Sequence, residues 1–122
     1  MILADTSVWI DHLRSGDREL KNLLVQGQIV IHPFVTAELA LGSLRNRAKT
    51  LALLDLLPQV RIAQMNEVRL TIEARHLENR GIGLIDAHLM ASVLIHPSTL
   101  LWTRDKRLRK AAAGLGIHAR LA

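Results

Sequence analysis

The sequence predicts an α/β fold in which a largely parallel β-sheet carries helices on both faces. Short apolar runs typical of buried strands alternate with segments of helical periodicity along most of the 122 residues. A chain of this length forms one domain of ordinary size, and no Pro/Gly/Ser-rich linker, internal repeat or low-complexity tract divides it. We therefore expect a single domain over residues 1–122.

The first strand and helix are predicted at the amino terminus. The apolar run Ile2–Ala4 has the length of a buried strand and ends at the carboxylate of Asp5. Thr6 or Ser7 is expected to cap the next helix, because hydroxyl oxygens accept hydrogen bonds from the free amides of a helix start. Asp17 would cap a second helix in the same way.

One strand and two helices are predicted next. The β-branched run Ile29–Ile31 is typical of a strand, and Pro33 suits the first position of a third helix that extends to about Leu44. A fourth helix over Asn46–Leu57 is apolar on more than one side. Such a stripe is typical either of a dimer or partner interface or of a well-buried helix, and the sequence leaves both open.

The second half of the chain continues the alternation. Val60–Ile62 is a candidate for a short strand, and Asn66 is the expected cap of a long helix that reaches Gly81. Asp86 would lie in the first turn of the following helix. The remaining elements are that helix from Leu84 to Pro97, a strand at Thr99–Trp102, a helix that begins at Asp105, and an edge strand at Ile117–His118.

Composition and charge narrow the classes of partner. Sixteen Lys and Arg against eleven Asp and Glu give a net charge of +5. This charge favours a polyanionic binding partner such as a nucleic acid, although many small proteins are basic for solubility alone. Only two Trp and one Phe are present, so a nucleic acid would be held mainly through its phosphates. The absence of Cys, of a signal peptide and of a long apolar run predicts a soluble cytoplasmic protein without a membrane span.

Acidic residues are predicted to meet at one edge of the sheet. Asp5 follows the first strand and Asp105 follows the strand at 99–102, and the carboxyl ends of parallel strands share an edge. The helix that contains Asp86 can reach this edge, and Glu38 could approach from the third helix. Taken singly, such acids are also common as turn formers or helix caps.

A cluster of carboxylates needs a compensating cation. Two carboxylates about 4 Å apart repel by about 4 kcal/mol at an effective dielectric constant of about 20. Oxygen ligands without Cys or paired His favour Mg²⁺ or Mn²⁺ over Zn²⁺, and such ions promote hydrolysis of phosphodiesters. No glycine-rich phosphate loop or G-x-S-x-G motif points to another chemistry. The acids therefore predict a metal-dependent nuclease.

A basic run beside Asp105 could attract the nucleic-acid backbone to this edge. Residues 104–110 contain five Lys and Arg side chains, of which Arg104, Lys106 and Arg107 are the candidates for RNA contact. The same pattern is equally typical of a solvated helix face.

Four segments of the chain together carry a family resemblance. They are Asp5–Trp9, Thr36–Gly42, Asp86–Ala91 and Thr103–Leu108. On these segments, in this order and spacing, the chain closely resembles the PIN-domain ribonucleases, and among them the VapC toxins of bacterial toxin–antitoxin modules. The main departure is Leu108, where an aromatic residue is common in the family.

The resemblance implies a three-layer α/β/α fold, a single PIN domain over residues 1–122 with a central, mainly parallel sheet of four to five strands. It also implies Mg²⁺- or Mn²⁺-dependent endonucleolytic cleavage of RNA, a homodimer, and inhibition by a cognate VapB-type antitoxin. Besides capping the helix, Thr6 and Ser7 could hold the Asp5 carboxylate and a metal-bound water in place. The implied site consists of the catalytic acids Asp5, Glu38, Asp86 and Asp105, of which Asp5, Asp86 and Asp105 would be metal ligands, and of supporting hydroxyls on Thr6 and Thr103.

Two other functions are compatible with the sequence. In one, the chain is a non-catalytic basic module that binds RNA or a protein partner, and the acids only cap helices. In the other, a PIN nuclease acts in RNA processing or on DNA. The sequence does not identify the RNA, the cleavage site or the number of metal ions.

Overall fold

The computed structural model describes all 122 residues and contains a small parallel sheet at its centre. The sheet has the order β2-β1-β3, so the first strand of the chain lies between the other two. Ile2 pairs with Ile29 on one side and with Leu100 on the other. The strands are β1 (Ile2–Ala4), β2 (Ile29–Val30) and β3 (Leu100–Trp102).

One isolated parallel bridge extends the sheet at each edge. Ile31 pairs with Gln59 beyond β2, and Leu101 pairs with His118 beyond β3. The predicted outer strands at 60–62 and 117–118 are thus reduced to bridges, because each outer segment makes only two backbone hydrogen bonds to its neighbour. With three strands and two bridges, the predicted mainly parallel α/β sheet is confirmed.

Seven helices surround this sheet, and the sequence predicted each of them. None of them combines the length and the apolar character that a membrane-spanning helix requires. They are α1 (Thr6–Ser15), α2 (Arg18–Val25), α3 (Pro33–Leu41), α4 (Arg47–Asp55), α5 (Met65–Ala74), α6 (Leu84–Ile95) and α7 (Lys106–Gly114).

Helices α3 and α5 end earlier than predicted. Helix α3 stops before Gly42, whose backbone is extended, and therefore does not reach Leu44. Helix α5 stops well before Gly81 because His76 adopts a left-handed φ of 52°. The predicted cap at Asn66 is also wrong: α5 begins at Met65 and contains Asn66, and the cap is Gln64, two residues before the predicted one.

The core lies between the sheet and its helices, with α6 as the most buried helix. Residues Ala87–Val93 of α6 are all buried, as expected for a helix that is apolar on every side. Leu3 and Trp102 contribute large buried side chains from the strands. In α4, by contrast, Leu53 is 55% exposed, and Leu56, directly after the helix, is 79% exposed. Part of the broad apolar stripe of α4 therefore faces solvent.

His32 caps α3 from inside the core. Its Nδ1 accepts a hydrogen bond from the backbone N of Phe34 at 3.0 Å, and its side chain is completely buried. The second ring nitrogen, Nε2, has no hydrogen-bond partner. Burial, together with the nearby His88, lowers the pKa of His32 to about 4. The folded protein therefore holds this histidine in its neutral form.

Acidification should destabilise the protein through His32. The unfolded chain binds the proton near the ordinary pKa of 6.5, whereas the folded chain binds it only near pH 4. The stabilisation is therefore complete above pH 6.5 and is lost as the pH falls towards 4. We expect this residue alone to remove up to about 3 kcal/mol from the free energy of unfolding.

Urea unfolding at neutral pH and at about pH 4.5 measures this effect. His32→Asn is the matched control, because asparagine supplies an acceptor for the helix cap but does not titrate. Wild type should lose clearly more stability on acidification than the variant. Equal losses in the two proteins would show that His32 does not carry the effect.

Candidate metal centre

Asp5 is the buried centre of the site. It lies directly after β1, is 5% exposed, and caps α1. Its Oδ1 accepts hydrogen bonds from the backbone N of Ser7 at 3.0 Å and of Val8 at 3.4 Å. The prediction that Thr6 or Ser7 caps α1 is wrong, because the helix already begins at Thr6 and the preceding carboxylate takes the capping position.

Two hydroxyl groups join the ends of β1 and β3 around this carboxylate. Ser7 Oγ donates to Asp5 Oδ1 and accepts from the backbone N of Arg104 at 3.0 Å. Thr103 Oγ1 donates to Asp5 Oδ2 and accepts from the backbone N of Asp105 at 3.0 Å. Because each hydroxyl has a defined acceptor and donor, the orientation of Asp5 is fixed on both sides.

Two further acids lie at helix starts on the same edge. Asp105 caps α7, and its Oδ1 accepts from the backbone N of Leu108 at 3.0 Å. Asp86 is in the first turn of α6, and its Oδ2 lies 3.4 Å from the backbone N of Gly83. Asp5 lies in the same way at the start of α1, so the positively polarised amino termini of three helices point towards carboxylates. The helix dipoles offset part of the repulsion among these acids.

Glu38 reaches the site from the middle of α3. Its Oε1 accepts a hydrogen bond from Thr6 Oγ1 at 2.7 Å, which ties α3 to the start of α1. Thr6 therefore supports Glu38, whereas Ser7 and Thr103 support Asp5. Thr6 and Thr103, the two hydroxyl residues that the resemblance implies, therefore each form a hydrogen bond to a carboxylate of the acid quartet, which consists of Asp5, Glu38, Asp86 and Asp105.

The four acids act on one another electrostatically. Burial raises the pKa of Asp86, and the negative charges of Asp105, Asp5 and Glu38 raise it further. Burial also raises the pKa of Asp5, against the opposing effect of its hydrogen bonds. None of the four carboxylates forms a salt bridge with a basic side chain. The structure thus brings the predicted quartet together without a compensating cation from the protein.

The donor set suits a hydrated divalent cation. Glu38 Oε2, Asp86 Oδ1 and Asp105 Oδ2 accept no hydrogen bond from the protein. No group of three or more acidic or histidine side chains lies close enough together to hold a metal ion through its side chains alone, as a closed cage would. Mg²⁺ needs no such cage, because it retains several waters and takes only one or two carboxylates directly. The residues present therefore fit Mg²⁺ or the similar Mn²⁺.

Arg104 is engaged by the protein itself. Its guanidinium contacts Asp11 at 2.7 Å and forms a second ion pair with Asp17. Its Nε donates to the backbone O of Ala122 at 2.9 Å, and the group lies 5.4 Å from the ring centre of Trp102. Three of the five N–H donors of Arg104 are thus used within the protein, and its predicted contact with RNA stays a prediction.

Replacing Arg104 should destabilise the protein. Arg104→Met keeps much of the aliphatic stem but leaves the Asp17 side chain, which is 16% exposed, without its ion-pair partner. We expect a loss of about 2 kcal/mol in the free energy of unfolding at neutral pH. Urea titration checks this, with Arg69→Met as the control because Arg69 is exposed and forms no salt bridge. Equal destabilisation by the two changes would refute a structural role for Arg104.

Arg107 lies across the turn that precedes α6. A Cβ atom at Gly81 would come within 2.7 Å of Arg107 Cδ, and Gly81 has a left-handed φ of 71°. The left-handed φ favours glycine at this position, whereas the flexible end of Arg107 could move away from a Cβ atom. The side chain of Arg107 thus lies between α7, which Asp105 caps, and the turn before α6, whose first turn contains Asp86. Lys106 and Arg107 themselves remain exposed.

Sequence reasoning missed the partners of Arg104. Asp11 gave no signal, and Asp17 was identified only as a helix cap. Both acids are about 90 residues away from Arg104 along the chain, as the separations of 93 and 87 show. No local pattern indicates such a pairing.

Comparisons with known proteins agree with this geometry. The PIN domain family matches residues 2–114. Ribonuclease VapC32, from two strains of Mycobacterium tuberculosis, is 46% identical over 117 residues, which cover 96% of this chain and 94% of each relative. The match thus spans all four acids and both supporting hydroxyls. The chain belongs to the PIN-domain family and is of the VapC type.

Proposed function

We propose that this chain is a metal-dependent endoribonuclease that acts as the toxin of a toxin–antitoxin pair, and that residues 1–122 form a single PIN domain. The observation that carries this proposal is the convergence of four acids without a compensating protein cation. The similarity to proteins named ribonucleases over nearly the whole chain supports it. The reaction is hydrolysis of RNA phosphodiester bonds.

Within this proposal, the acids divide into ligands and a positioning group. Asp5, Asp86 and Asp105 would hold the ion, directly or through its waters, with Mg²⁺ or Mn²⁺ as the cofactor. A bound ion of this kind supplies an activated water and stabilises the leaving oxygen. Glu38, held at Oε1 by Thr6, keeps Oε2 available to orient that water.

RNA would be drawn to the acids by nearby basic side chains. Lys106 and Arg107 are exposed in the first turn of α7, directly after Asp105. Cations at this place can neutralise backbone phosphates, which supply most of the sequence-independent affinity for nucleic acids.

The proposed partners are a VapB-type antitoxin and a second copy of the chain, as the resemblance to VapC toxins implies. The exposed Leu53 of α4 and the exposed Leu56 directly after it support an interface role for this helix. We expect the protein to act in the cytoplasm, where its RNA substrate would be found.

Cleavage of end-labelled RNA and of a DNA of the same sequence tests the activity. We expect internal cleavage of RNA in Mg²⁺ or Mn²⁺, none in EDTA, and no cleavage of DNA. A circular RNA, which has no ends, separates endonuclease from exonuclease action. RNA binding without cleavage in any divalent ion would instead support a non-catalytic module, and cleavage of DNA would contradict the proposed substrate.

A further inference from the structure

A cavity of about 360 Å³ opens beside Glu38, between α1 and the carboxyl end of α3. Glu38 belongs both to the acid cluster and to the wall of this cavity, so the cavity borders the acid cluster. The aliphatic part of the wall is formed by Ile10, Leu13, Leu39 and Leu44. The volume is within the range of small-ligand sites in proteins.

Two basic side chains with no protein partner line the same cavity. Arg14 and Arg45 are exposed, and their guanidinium groups form neither a salt bridge nor a side-chain hydrogen bond. Arg47, close by in sequence, is different, because it donates to the backbone O of Gly42 and of Ala40. The cavity thus combines an apolar wall, two uncommitted cations and the unpartnered Oε2 of Glu38.

We propose that this cavity is a nucleotide subsite of the RNA substrate. It holds the base of one unpaired nucleotide next to the cleaved bond, while Arg14 and Arg45 bind the flanking phosphates. The proposal rests on the proposed function. Only a base that has left its stack can enter such a lateral cavity, so the substrate is single-stranded RNA or a loop.

Charge and position favour a nucleotide over a protein segment. An apolar side chain of a protein partner would pack against the aliphatic wall of the cavity but would leave Arg14 and Arg45 without counter-ions. A nucleotide supplies a flat base for the wall and phosphates for both cations. Since Glu38 lies in the wall, the phosphate on that side of the nucleotide comes close to the four acids.

Gly42→Val tests the subsite by filling it. Gly42 lines the cavity, its φ of −94° and ψ of −175° suit any residue, and a Cβ there would meet only Leu39 O at 3.6 Å. We expect kcat/KM for single-stranded RNA to fall by about 10-fold, mainly through KM. Circular dichroism and the melting temperature confirm that the variant is folded.

An abasic scan locates the occupant. In a set of RNA oligonucleotides, one nucleotide at a time is replaced by an abasic unit. For wild type, an abasic unit at one position beside the cleaved bond should lower kcat/KM by about 10-fold relative to the intact RNA. For Gly42→Val, whose subsite is already filled, the same abasic unit should cause almost no further loss. Equal sensitivity of both proteins at every position would overturn the proposal.

Arg14→Ala and Arg45→Ala test the phosphate contacts without cleavage. Fluorescence anisotropy of a labelled single-stranded RNA in EDTA should show weaker binding, and each change should reduce the salt slope of log K by about 1. Arg69→Ala on α5 removes the same charge away from the cavity and should leave the slope unchanged.

These outcomes separate the subsite from the activity. If wild type cleaves no RNA in any divalent ion, the proposed function fails, and the binding measurements in EDTA still decide the subsite. If Gly42→Val and both arginine variants bind and cleave RNA like wild type, the assignment of the cavity as a nucleotide subsite is wrong. A protein segment is then the remaining candidate occupant of the cavity.

Discussion

Asp5→Asn should reduce kcat for RNA by at least about 100-fold while the protein remains folded. Asn has nearly the shape of Asp and keeps an acceptor for the amides of Ser7 and Val8 at the start of α1. It removes the negative charge at the centre of the proposed metal site. The expected loss is large because this charge acts on the ion and on the reacting phosphate.

Stability measurements separate this effect from unfolding. In EDTA the variant should be at least as stable as wild type, because burial raises the pKa of Asp5 and the neutral amide avoids that cost. Added Mg²⁺ should raise the melting temperature of wild type but not that of the variant. Asp55→Asn on the exposed face of α4 is the matched control and should cleave normally. Cleavage by folded Asp5→Asn at the wild-type rate would refute the assignment of the site.

Thr103→Val should lower kcat/KM by about 10- to 100-fold, the usual range for a residue that supports a metal ligand. The change removes the hydroxyl that donates to Asp5 and accepts from the backbone N of Asp105. Valine has nearly the volume of threonine, so packing in this completely buried position is kept. The free energy of unfolding should fall by about 1–2 kcal/mol, because two polar groups lose their partner.

Rescue by serine distinguishes positioning from packing. Thr103→Ser restores the hydroxyl but lacks the methyl group, so it should recover most of the activity and require a similar Mg²⁺ concentration to wild type. Thr103→Val should need more Mg²⁺ for half-maximal cleavage. Thr99→Val, which removes a buried hydroxyl at the other end of β3, is the control. Activity that follows side-chain volume rather than the hydroxyl would contradict the role given to Thr103.

The location of three of the acids could be predicted from local patterns. Asp5 and Asp105 follow apolar runs, Asp86 precedes a helical stripe, and parallel strands bring their carboxyl ends to one edge. The identity of the cap on α1 could not be predicted with the same certainty, because Asp, Thr and Ser all cap helices well. Only the backbone geometry shows that the helix begins at Thr6.

Other features depend on contacts between distant segments. Glu38 reaches the site because α3 packs on α1, which a helical pattern in α3 alone does not show. The ion pairs of Arg104 join residues from opposite ends of the chain. The ends of α3 and α5 were overestimated because apolar periodicity continues beyond the residues where the backbone turns.

The central place of β1 also determines when the site can form during synthesis. Strand β1 pairs with the distant β3, and Asp5 receives its bond from Thr103 across a separation of 98 residues. A nascent chain that has not yet released β3 and α7 from the ribosome lacks both Thr103 and Asp105. Assembly of the four acids is therefore a high-contact-order step, and the growing polypeptide carries no complete site next to the ribosome's own RNA until residues 103–105 have been made.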